Sequence, residues 1–191
     1  MAGFDWASFL ADWSRELIAC EDIARKLPSD VRASGWLGYA PASKEQIGSA
    51  EARLGRTLPV SYREFLTVSN GWRATGFFID RMWSTEEIEW FRVRHYEWIA
   101  DWNLGVAAYD ASNPNAPGPA DDDAQYLPSA LEISEVGDSA INLLNPLVLT
   151  GDGEWQAWFF SNWNPGSVRH RSFREMMEAE RKSFIFVRDK R

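Results

Sequence analysis

Asp152 and Glu154 flank Gly153 and lead straight into Trp155. Two carboxylates beside a tryptophan could serve glycan chemistry, where one acid protonates the leaving oxygen and a second carboxylate stabilises or activates. The surrounding Gly151-Asp152-Gly153 run predicts a hairpin turn, however, and solvent there would leave neither carboxyl raised for acid work. Glycan binding or cleavage is therefore the remote reading. His95 and His170 have no metal-ligand spacing; His95 is expected as a satisfied core or edge histidine and His170 as a surface residue between Arg169 and Arg171. Cys20 is the single cysteine, which excludes an internal disulfide and suits a reducing compartment. No G-x-S-x-G elbow, H-E-x-x-H pair, phosphate-binding glycine loop or zinc-spaced cysteine pair is present. The chain is expected to be no enzyme, with no cofactor and no metal.

Binding chemistry has better candidates. Glu86, Glu87 and Glu89 crowd around Trp90, and a tryptophan among carboxylates is a candidate partner-binding anchor; the alternative is a helix buried on more than half its circumference. Asp121, Asp122 and Asp123 form a second acidic group, but three consecutive residues lack the alternate spacing of a calcium loop and read as a solvated face. The net charge of -8 is uneven: residues 168–191 hold eight Lys/Arg against four Asp/Glu, a surplus of +4, so residues 1–167 carry -12. Such a body disfavours nucleic acid, whose affinity rests on Lys and Arg neutralising phosphates. It suits a basic protein partner, since complementary charge speeds encounter and excludes wrong partners. Acidity that serves only solubility is the plainer account.

These side chains need elements to hold them. At 191 residues the chain fits one substantial domain, and eleven Trp with eleven Phe supply an aromatic core. Trp6, Leu10, Trp13, Leu17, Cys20, Ala24 and Leu27 recur at four and three, predicting one amphipathic helix over residues 5–27 stopped by Pro28. Cys20 lies on its apolar stripe as a buried, inert thiol. Trp36, Leu37 and Tyr39 form a short extended run, and Phe77, Phe78 and Ile79 a strand. Ser84 or Thr85 caps a helix running to about Asp101, with Ile88, Phe91, His95, Trp98 and Trp102 along its inner face and Trp90 off that line. Residues 111–128, with the Asn113–Asp123 run NPNAPGPADDD at their heart, make an exposed Pro/Asp-rich loop.

Strands follow. Leu131, Ile133 and Val136 alternate with polar residues, Gly137-Asp138 turns, Ile141, Leu143 and Leu144 continue, and Asn145-Pro146 breaks the run before Leu147–Leu149. Trp155–Phe160 is a further strand, Pro165-Gly166 ends the meander, and Ser172 caps a last helix carrying Phe173, Met176, Met177 and Phe184. The fold class is α+β: a single domain over residues 1–191, with an antiparallel sheet flanked by N-terminal, middle and C-terminal helices. No stretch approaches the roughly 18 apolar residues of a membrane span. The opening MAGFDWASFL lacks the basic n-region of a signal peptide, so the expected location is cytoplasmic and no membrane partner is expected.

The most distinctive stretch is Ile47–Gly71, IGSAEARLGRTLPVSYREFLTVSNG. Ser43 with Gln46 makes a capping box; Ile47, Ala50 and Leu54 share one face; Gly55 ends the helix; Tyr62, Phe65, Leu66 and Val68 form a second face; and Asn70-Gly71 turns. This ordered pattern resembles the opening of the SUKH superfamily. Leu131-Glu132-Ile133, Gly137-Asp138, Gly153-Glu154-Trp155, Trp163 before Pro165-Gly166, and Ser172-Phe173 are similar to that family's sheet and terminal helix, extending the resemblance over about residues 36–187. The family holds fungal cell-wall-synthesis regulators and bacterial proteins that neutralise polymorphic toxins. The resemblance thus implies a binding protein: an immunity protein that occludes a cognate toxin, such as a nuclease with a basic groove. The alternative is a regulatory scaffold of the fungal type, from which this compact chain differs in lacking long disordered flanks.

Overall fold

In the computed structural model, residues 3–101, 112, 123–150, 152–161, 163 and 166–191 are described. Five antiparallel strands run in chain order across one sheet. They are β1 (Glu89–Trp90), β2 (Leu131–Glu132), β3 (Ala140–Leu149), β4 (Trp155–Ser161) and β5 (Val168–His170). The helices are α1 (Trp6–Ala19), α2 (Glu21–Ala24), α3 (Ser29–Ser34), α4 (Lys44–Leu54), α5 (Val60–Leu66) and α6 (Phe91–Arg94). Residues 96–101 are also helical, and α7 (Phe173–Arg188) closes the chain. The α+β class with its meander sheet stands.

The sheet is covered on both faces, which explains why β3 reads as an apolar run and not as an alternation. Ala140, Leu144, Trp155 and Ala157 face the main core with α1, α4, α5 and α7, where Trp6, Phe65 and Phe173 meet at 5.1–5.6 Å between ring centroids. Ile141, Leu143, Trp158 and Phe160 face a smaller core closed by Phe91, Leu127 and Ala130.

The α4–α5 unit forms from local signals. Ser43 Oγ accepts from Gln46 N while Gln46 Oε1 accepts from Ser43 N, completing the capping box, an arrangement worth about 1 kcal/mol. Ile47, Ala50 and Leu54 are buried, and Gly55 takes the left-handed cap at φ 67°. Tyr62, Phe65 and Leu66 are fully buried. Ser172 caps α7 by accepting from Glu175 N, and Phe173, Met176, Met177 and Phe184 all face inward.

Four expectations are corrected. The N-terminal helix does not run over residues 5–27: it ends at Ala19, where Cys20 turns extended at ψ 111°, and Glu21 and Asp22 start α2 at the helix positions that favour acidic side chains. Cys20 is consequently half-buried at this break. Phe77–Ile79 is a closed loop and not a strand, with Thr75 N donating to Ile79 O over 3.1 Å. Asn145-Pro146 does not end its strand. Proline has no N–H for the ladder, and a bulge between Asn145 and Leu149 absorbs it within β3.

The helix expected from Thr85 to Asp101 is four pieces: a turn at residues 85–87, the edge strand β1, α6, which stops at His95, and the helical residues 96–101. Ile88 and Trp90 are buried while Glu87 and Glu89 are half-exposed, a strand's period of two that the helical spacing of Ile88, Phe91 and His95 obscures. Trp102, Gly151 and Pro165 lie outside the described residues.

Candidate partner-binding site

The acidic turn is built on α4 and the Asn70-Gly71 turn. Gly71 adopts φ 99°, and a Cβ there would meet Met82 O at 2.8 Å, so only glycine fits comfortably. That turn aims Asn70 at the acidic segment: its Oδ1 accepts from Thr85 N at 2.8 Å and its Nδ2 donates to Glu86 Oε2 at 3.3 Å. From α4, Gln46 Nε2 donates to Glu86 Oε1 at 2.8 Å. Glu86 is exposed, and among the described residues no Lys or Arg pairs with it. Partial burial opposes its ionisation, but donors from its own backbone, Gln46, Thr85 and Ser84 outweigh that and hold its carboxyl below the usual range.

The neighbouring carboxylates are committed internally. Glu87 accepts from Ser84 N and Oγ and pairs with Arg81 at 2.8 Å, while Arg81 also pairs with Glu135 at 2.9 Å and lies 4.4 Å over the Trp83 ring. Burial pushes Glu87 up, yet Ser84 and Arg81 more than offset it, so it too sits below the ordinary value. Glu89 pairs with Arg53 at 3.2 Å, and Arg53 also donates to Thr85 O at 3.0 Å. Trp90 is corrected outright: at 9% exposure it is a core residue of β1, paired to Leu131, and no surface anchor.

One hollow borders this turn and shares Tyr39 and Arg81 with a second. The first, of about 420 Å³, is lined by Pro41, Gln46, Asn70, Ser84 and Glu87; the second, of about 370 Å³, by Lys26, Leu27, Arg73, Asp80 and Glu135. Arg73 stacks 4.0 Å above Tyr39 and donates to Leu37 O and Gly38 O, which fixes the wall between them.

The second acidic group divides. Asp121 and Asp122 lie outside the described residues. Asp123, expected on an exposed loop, is buried at 1% exposure; it accepts from Ser167 N at 2.6 Å and Ser167 Oγ at 3.1 Å and pairs with Arg169. It ties residues 123–129 to β5 and is unavailable to a partner. The carboxylate pair also separates. Both oxygens of Glu154 accept from Ser61, at 2.7 Å from its N and 2.8 Å from its Oγ, while Asp152 faces solvent. Among the described residues no group of His, Cys, Asp and Glu is placed to hold a metal ion.

Sequence reasoning missed the carboxylate that organises the other side of β1. Glu132, 2% exposed, accepts from Trp83 Nε1 at 3.2 Å and pairs with Arg94 at 3.4 Å and His95 at 2.9 Å. His95 is thereby satisfied. A charged residue between Leu131 and Ile133 was the available signal.

The sequence profile of the SMI1 / KNR4 family (SUKH-1) matches residues 41–179, well over half of the chain. The chain belongs to that family. The SUKH-1 match opens just before the capping box of α4 and closes within α7, so it contains the acidic turn and the whole sheet, while α1–α3 precede it. No curated protein matches the chain. The SUKH-1 chain has, among its described residues, no helix long and apolar enough to cross a membrane.

Proposed function

We propose that this SUKH-1 chain is an immunity protein that binds a cognate toxin and neutralises it by stoichiometric occlusion, without turnover. Glu86 carries the reading. It is exposed, its carboxyl is held below the ordinary range, and it is fixed by Gln46 and Asn70 without being neutralised by a basic side chain among the described residues. A preorganised carboxylate of that kind loses little side-chain freedom when a cation docks. The hollow that borders the turn, with the second that shares its wall, gives this edge the relief that a protein interface needs. Glu87 and Glu89 contribute negative potential from inside their ion pairs, and a basic partner such as a nuclease toxin is complementary to this edge.

The test mixes the chain with the product of the gene immediately upstream and follows both by size-exclusion chromatography and by the toxicity of that product. A one-to-one complex in which toxicity is lost supports immunity. Absence of a complex and of protection moves the assignment to a regulatory scaffold that recruits other proteins through the same fold.

A further inference from the structure

At the sheet edge opposite the acidic turn, β4, β5 and α7 enclose a hollow of about 320 Å³. Its wall is three aromatic rings in mutual contact: Phe78 to Trp163 at 5.6 Å, Phe78 to Phe159 at 6.1 Å and Phe159 to Trp163 at 6.2 Å. Trp163 is 48% exposed at the rim, an unusual place for so large an apolar surface. Glu180 of α7 lines the same hollow, with one oxygen accepting from Thr75 Oγ1 at 2.7 Å.

Aromatic faces joined to a carboxylate are the chemistry that holds an organic cation, the rings through their quadrupoles and the acid through charge. Arginine fits better than lysine, because a planar, weakly hydrated guanidinium stacks on indole. The chain seats its own guanidinium groups this way, Arg81 over Trp83 at 4.4 Å and Arg169 over Trp158 at 5.2 Å. We infer that this hollow is a second docking site, which receives one arginine side chain of a protein partner over Phe78, Phe159 and Trp163 and pairs it with Glu180.

Among the described residues that line the hollow, no Lys or Arg faces Glu180. Burial pushes the Glu180 carboxyl up to about 7 against the opposing hydrogen bond from Thr75. His170, the other titratable side chain lining the hollow among the described residues, is held below its ordinary value by burial, with Glu175 pulling the other way. At neutral pH no cation lining the hollow among the described residues competes for Glu180. An entering guanidinium draws the carboxyl back to its charged form, so binding tightens as pH rises through about 7.

The site is tested without any toxin, by titrating the chain with N-acetyl-arginine methylamide and following the backbone amide signals of Ala179, Glu180 and Ser183, which line the hollow, by NMR. A saturable shift in the millimolar range is expected, absent with the neutral citrulline analogue, and weakened about tenfold by E180Q and by W163A. No saturable shift, an equal response to citrulline, or full affinity in W163A overturns the site, and tighter binding of the lysine analogue overturns its assignment to arginine. Should E180Q fail to fold, W163A decides, since its position is exposed.

Discussion

Replacing Glu132 with Ala removes a carboxylate that is 2% exposed and holds three partners, Trp83, Arg94 and His95. Deleting one member of a buried charge network costs about 3–5 kcal/mol, chiefly through the charge left behind. The partners decide where in that range the loss falls. Arg94 is 32% exposed and His95 18%, so both can regain water when the carboxylate goes, and the cost belongs near the lower end, about 3 kcal/mol. At about 2–4 °C per kcal/mol for a chain of this size, E132A should melt about 6–12 °C below the parent. Differential scanning calorimetry gives the number, and a double-mutant cycle with R94A gives the mechanism. R94A alone should cost about 1 kcal/mol or less, and E132A/R94A should cost less than the sum, because the second change removes the stranded cation. A melting point within about 3 °C of the parent, or strict additivity with R94A, would show that Glu132 is not the tie between β2 and α6.

Charge reversal separates the carboxylates of the acidic turn: E86K should melt like the parent while weakening toxin capture by about 1 kcal/mol, mostly through the association rate measured by surface plasmon resonance. E87K and E89K, which set a lysine against Arg81 or Arg53, should each lose roughly 1 kcal/mol of stability in a urea melt. Glu180 gives a pH signature. Its folded value of about 7 lies above the ordinary 4.5, so the folded chain holds the extra proton between them and stability falls as pH rises through that window. E180Q should flatten this slope and, at pH 8, stabilise the chain by about 2 kcal/mol once contact of the side chain with solvent is allowed for; a parent stability flat in pH across the window would refute it. G71A forces a side chain to φ 99° against Met82 O and should cost about 2 kcal/mol by thermal melt, while also loosening Glu86 through Asn70.

What was legible in the sequence is what local chemistry decides. Ser43 with Gln46, Gly55, Asn70-Gly71 and Ser172 each act within a few residues, and each did what its type implies. The helix misjudged at residues 85–101 shows the opposite case. β1 is two residues long and exists because Glu89 and Trp90 pair with Glu132 and Leu131, some forty positions later. Nothing local announces that pairing, and the apolar spacing of Ile88, Phe91, His95 and Trp98 mimics a helix face. Trp90 went into the core with it. The site was half legible for the same reason: three glutamates in four positions advertise charge, but that Arg53 and Arg81 neutralise Glu89 and Glu87 and leave Glu86 alone follows from tertiary contacts. Asp123 likewise finds Ser167 and Arg169 more than forty residues away. The α4–α5 pattern on which the resemblance was read lies, by contrast, inside the residues 41–179 that match SUKH-1.

The bond from Glu154 to Ser61 has a consequence for how the molecule opens. Helix α5 begins after Pro59 with no side-chain cap of its own, and the N–H and the hydroxyl of its second residue, Ser61, are taken by a carboxylate 93 positions away, just before β4. A helix of seven residues is too short to persist alone. When the Thr150–Glu154 turn frays, α5 loses its cap at the same moment, so the turn and the helix belong to one cooperative opening unit. Amides of α5 and of the start of β4 should therefore exchange with deuterium at a common rate, and E154Q should accelerate both together.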